Sequence, residues 1–144
     1  MIESDTIKLL KECNQGIKMG MDSIKEVMDK IKSEDLKYLL KRSLTHHEAL
    51  LEETQKLLNS YKDAPDILSP VLKGMAWLQT NMKLAVDESD SSAASLLTGG
   101  CDNGIKHLSR YLNQYTAADE KSKSICKELI AIEEELSKGL REYL

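Results

Sequence analysis

Apolar residues alternate by three and four positions along four long stretches of this chain, which leaves few alternatives to a packed helical bundle. Ile7, Leu10, Asn14, Ile17, Met21, Ile24, Met28 and Ile31 form the first seam. Asp5 in its first turn favours the positive end of the helix dipole. Ser33-Glu34-Asp35 then reads as an N-cap followed by acidic first-turn residues. The second seam carries Leu36, Leu40, Ser43, His47, Leu50, Thr54, Leu57 and Tyr61. The spacing predicts helices over 5–32 and 34–61, joined so tightly that they are antiparallel neighbours.

Asp63-Ala64-Pro65-Asp66 interrupts the pattern, and Ser69-Pro70 reads as an N-cap with proline at the first helical position. A connecting helix is expected over 70–86, roughly 25 Å long at 1.5 Å per residue, which suits a crossover along the bundle. A polar run, Asp87 to Ser92, precedes a third long helix over 91–115. Its seam is Leu97, Cys101, Ile105, Leu108, Leu112 and Tyr115, and Gly99-Gly100 is expected to kink or fray its first half. Thr116-Ala117-Ala118-Asp119 resembles a capping box and opens a last helix over 117–143, through Ile125, Leu129, Ile132, Leu136, Leu140 and Tyr143. Heptads broken at capped joints fit a bundle closed on itself better than an extended coiled coil. The whole chain, 1–144, reads as one all-α domain.

A hexapeptide recurs within this pattern. Cys13-Asn14-Gln15-Gly16-Ile17-Lys18 returns as Cys101-Asp102-Asn103-Gly104-Ile105-Lys106. A glycine in a helix interior costs about 1 kcal/mol relative to alanine. Two in matching positions point to a duplicated hairpin with a shared packing reason, namely close approach of the first and third long helices. Two hairpins joined by a long crossover are the plan of ferritin-like bundles.

Leu9-Leu10 through Asn14-Gln15-Gly16-Ile17, Asp35-Leu36-Lys37 with the leucines after it, Lys73-Gly74-Met75-Ala76-Trp77, and Cys101 through Ile105 stand in an order that resembles a bacterial family of ferritin-like four-helix bundles of unknown function. The resemblance implies a four-helix bundle with ferritin-like topology, to which the pattern over 70–86 adds a helix in the crossover, and it implies no established activity. Metal-binding proteins of the wider group place one Glu on each of two helices and Glu-x-x-His on each of the other two. This chain contains no Glu-x-x-His. His46-His47-Glu48 has the residue types in the wrong order, and Glu133-Glu134-Glu135 is followed by Leu136-Ser137-Lys138. Ile17 and Ile105 take seam positions where a bridging Glu would be expected. Most acidic residues read as solvated helix faces. No metal and no cofactor is therefore expected.

The interior polar candidates are Asn14, His47 and Asp102, read as a hydrogen-bonded layer that fixes register. The alternative is an atypical or vestigial metal site built from His47 and Asp102. His107 falls off the best seam and reads as a surface residue. Cys13, Cys101 and Cys126 form no C-x-x-C pair and read as buried free thiols. Trp77 and Leu84 lie away from the crossover's main apolar stripe. They are interface candidates, the competing reading being that Trp77 fills a gap against the bundle.

A net charge of −4 argues against nucleic-acid binding, which uses a basic face. Nothing approaches the roughly 18 consecutive apolar residues of a membrane span, and the acidic start lacks a signal peptide's basic region. A cytoplasmic location is expected. With no phosphate loop, no nucleophile elbow and no paired carboxylates in an expected cleft, the chain does not read as an enzyme. The expected function is that of a non-catalytic bundle acting through protein–protein contacts, with a second copy as a homodimer or with another protein.

Overall fold

The computed structural model describes residues 3–61 and 89–144. The expected crossover helix over 70–86, with Trp77 and Leu84, lies outside the described residues. Four long helices make up the described architecture: α1 (Ser4–Met28), α2 (Glu34–Ser60), α3 (Asp90–Gln114) and α4 (Glu120–Leu140). A 3₁₀ turn, Arg141–Tyr143, follows α4. No strand occurs among the described residues.

The joints show how side chains set these boundaries. Ser33 caps α2 by accepting the Leu36 amide hydrogen at 3.2 Å, as its place before Glu34 and Asp35 predicts. Asp119, not Thr116, caps α4, accepting from the Ser122 amide at 2.8 Å. The last helix therefore begins at Glu120, after a turn, rather than at 117. The first helix stops at Met28, before the expected 32, where the chain turns toward Ser33. Gly99-Gly100 does not break α3, which runs unbroken through both.

Acidic first-turn residues also stitch the bundle ends. Both carboxylate oxygens of Asp90, at the start of α3, accept from the α1–α2 joint, from the Lys32 amide at 2.8 Å and the Ser33 amide at 2.9 Å. At the opposite end, Asp5 and Thr6 of α1 accept from the amides of Ala117 and Asp119 in the α3–α4 joint, at 3.1 and 2.8 Å. These ties fix directions. The α3 helix starts at the end where α1 turns into α2, so α2 and α3 run the same way and α1 and α4 the other. The chain leaves α2 at one end of the bundle and enters α3 at the other.

The α1 helix packs against all three others, α4 against α2 and α3, while α2 and α3 stand on opposite corners and scarcely touch. The core divides into two apolar clusters. One gathers Leu9, Leu10, Cys13, Ile17, Leu50, Leu108, Ile125 and Leu129; the other gathers Ile24, Val27, Leu36, Leu40, Leu97, Leu136 and Leu140. Fully burying each such aliphatic side chain contributes about 1.5–3 kcal/mol before ordering costs. Along α2 the clusters are separated by Ser43 and His47, and along α4 by Glu133, all buried. The candidate site is this polar layer.

Candidate functional site

His47 reaches the core because the α2 seam carries it inward between Leu40 and Leu50, and it is fully buried. Its Nδ1 lies 2.7 Å from the carbonyl oxygen of Ser43, and its Nε2 lies 2.7 Å from Oε1 of Glu133 on α4. With Glu133 ionised, both neighbouring oxygens accept and each ring nitrogen donates, the arrangement of an imidazolium–carboxylate pair. Burial is the largest single influence and opposes this charge. The hydrogen bond to Glu133, the Glu133 charge and the Ser43 carbonyl together outweigh burial and hold the His47 pKa above its usual 6.5.

Glu133 departs from the expectation that most acidic residues lie on solvated helix faces. It is instead only 7% exposed, while its two neighbours face solvent. The signal was present: position 133 follows Leu129 by four and precedes Leu136 by three, so it belongs to the inward stripe. Gly20, on α1, lies against the same pair. A Cβ there would lie 2.7 Å from His47 Nε2 and 3.2 Å from Glu133 Oε1. The glycine lets the ion pair lie against the α1 backbone.

Cys101 on α3 completes the layer. Burial first, then the charge of Glu133 and a hydrogen bond to it, push the thiol pKa far up. The order of groups is imidazolium, carboxylate, thiol. A nucleophilic cysteine needs a base or a cation beside the sulfur. Here the neighbour is an anion that holds the thiol protonated, so the trio is not wired as a catalytic triad.

The sequence-derived set does not converge. His47 is buried as expected, but Asp102 is exposed and meets Ser137 Oγ at 3.5 Å on the α3–α4 face. The inward positions of α3 belong to Leu97, Cys101 and Leu108, and residue 102 is turned about 100° from Cys101. With α2 and α3 on opposite corners, His47 and Asp102 cannot share an ion. Asn14 is half-buried, with its Oδ1 buried and without a hydrogen-bond partner among the described residues. Cys13, its repeat neighbour, lies in the other cluster, hydrogen-bonded to Cys126. Antiparallel packing of α1 and α3 thus puts Cys13 and Cys101 in different layers.

The repeat glycines also lack a shared packing reason. A Cβ at Gly16 would make ordinary contact with Leu129 at 3.5 Å, and one at Gly104 would meet nothing within 4 Å among the described residues. They line a cleft of about 60 Å³ between α1, α3 and α4, with Gly20, Gly100, Ser23, Cys101, Glu133 and apolar side chains in its walls. His107 is half-buried in the same wall rather than on open surface. Burial, then Arg110 and Lys106, lower its pKa, and it stacks on Tyr111 with ring centroids 6.5 Å apart. Tyr111 in turn hydrogen-bonds Glu12, a second buried carboxylate that the seam did not reveal. Burial and Glu12 push the Tyr111 phenol to about 12.

Among the described residues no three His, Cys, Asp or Glu side chains are grouped to hold a metal ion. No helix among them is long and apolar enough to cross a membrane. Comparison with known proteins finds no matching family model, no matching curated protein and no matching solved structure.

Proposed function

We infer that this protein is a metal-free, non-catalytic bundle of the ferritin-like kind, and that it works by binding other molecules. The observation that carries this reading is the His47–Glu133 pair in the central layer. In a di-metal bundle, two helices each supply Glu-x-x-His and two each supply Glu. Here α2 holds Leu44-x-x-His47 and α4 holds Glu133-x-x-Leu136. Each helix carries one half of that motif, His on α2 and Glu on α4, and the two groups satisfy one another. Gly20 and Cys101 occupy the same layer on the remaining helices. One imidazole and one carboxylate, already paired, fall short of a di-metal ligand set.

The parallel run of α2 and α3 supports the ferritin-like plan. The closed ion pair supports a core that stands without a cofactor, leaving surface and cleft as the parts that act. Contact with a second copy or another protein is the form of binding that the sequence favours. Incubation with Fe²⁺, Mn²⁺ or Zn²⁺, followed by desalting and elemental analysis, tests the reading. Retention well below one equivalent is expected. One or more equivalents held by the wild type and lost from His47→Gln would overturn it. Light scattering tests the homodimer directly against the 16.2 kDa chain mass.

A further inference from the structure

We propose that the cleft between α1 and α3 is a binding site for a small neutral molecule with an apolar body and one N–H or O–H donor, the donor directed at Glu133. This goes beyond the metal-free reading, since a bundle without metal need not take a ligand.

Gly16, Gly20, Gly100 and Gly104 stand in the cleft walls, and among the described residues nothing lies within 4 Å of a Cβ placed at Gly104. The cleft's volume of about 60 Å³ holds about two waters at roughly 30 Å³ each, and because the cleft is open on one side it seats the inner edge of a small ring rather than enclosing it. Leu97, Leu108 and Leu136 make its walls largely apolar, so it favours an apolar body over ordered water.

Glu133 supplies the directional contact. A carboxylate accepts about four hydrogen bonds. Here it receives one short bond from His47, which leaves acceptor capacity in the cleft wall that Glu133 lines. The charge of the occupant follows from the pair. His47 already neutralises Glu133, so a cationic ligand would meet a second positive charge and an anionic one a buried carboxylate. A neutral donor gains the hydrogen bond without either penalty.

Pyrrole and furan test this: both are five-atom rings of nearly equal shape, and only pyrrole carries a donor. Each is titrated into the full-length protein and followed by ¹H–¹⁵N NMR. The expected result is saturable perturbation of cleft residues by pyrrole, about ten-fold tighter than by furan, the ratio for one hydrogen bond to a charged group. Gly104→Leu fills the cleft from a position where a Cβ meets none of the described residues within 4 Å, and leaves the ion pair untouched, so it should fold and lose pyrrole binding. No saturable pyrrole binding, equal binding of furan, or undiminished binding by folded Gly104→Leu each overturns the proposal. The metal analysis is unaffected by any of these outcomes.

Discussion

His47 Nε2 and Glu133 Oε1 lie 2.7 Å apart across the α2–α4 interface, 86 residues apart in sequence and almost wholly removed from water. Taking two charges out of water is costly, and the pair offsets that cost only while both members are present. His47→Ala or Glu133→Ala alone is expected to destabilise the fold by about 3–5 kcal/mol, because each leaves an unpaired buried charge. Replacing both with apolar residues of similar volume should recover most of that loss. Urea denaturation of the two single variants and the double variant gives the coupling energy. A near-zero coupling energy would show that the pair is not the unit described.

The two helix-interior glycines on facing walls should respond in opposite directions to the same substitution. Gly20→Ala drives a methyl group to within 2.7 Å of His47 Nε2 and should cost about 1–3 kcal/mol through overpacking. Gly104→Ala meets none of the described residues within 4 Å and should stabilise by up to about 1 kcal/mol through helix propensity. Thermal unfolding of both variants beside the wild type reads the signs directly.

Stability should fall as pH rises above neutrality. The His47 pKa is raised in the folded protein, so its contribution is complete below about 6.5, the unfolded value, and is lost as pH climbs through the folded value. His107 has the opposite shift and contributes increasingly as pH rises toward about 6.5. Between about pH 6.5 and 8 the decline therefore reports His47, before free thiols titrate in the unfolded chain. His47→Gln should flatten the denaturation midpoint over that window, and an unflattened profile would assign the slope to another group.

Asp90 ties the start of α3 to the α1–α2 joint through two backbone amides. Asp90→Ala leaves the Lys32 and Ser33 amides without this partner, and a loss of about 1–2 kcal/mol is expected, the scale of a strong cap. Hydrogen exchange should quicken at those two amides first. Unchanged exchange there would remove the tie from the account.

The helices were legible because their signal is repetitive: each seam supplies many independent apolar positions, and Ser33 caps where its neighbours say it should. The site was legible only in part. His47 stood on a clean seam, but its partner lay inside a run of three glutamates, where composition pointed outward and only the spacing from Leu129 and Leu136 pointed inward. The repeat points Asp102 inward only if its two copies share an environment, and they do not. Similar hexapeptides on antiparallel helices share local geometry, while their layers are set by the partners opposite, Cys126 for Cys13 and Glu133 for Cys101. Gly20 could not be understood before His47 and Glu133 were placed against it, since a close approach has no one-dimensional signature.

The central claim is that the middle layer is a closed ion pair rather than an incomplete metal site. Imidazole ¹⁵N NMR of His47 at pH 6.5, before and after a stoichiometric addition of Zn²⁺, tests it most directly. The account predicts two protonated ring nitrogens at imidazolium shifts, unchanged by the metal. A His47 Nε2 that loses its proton and moves to a metal-bound shift with one equivalent would contradict it.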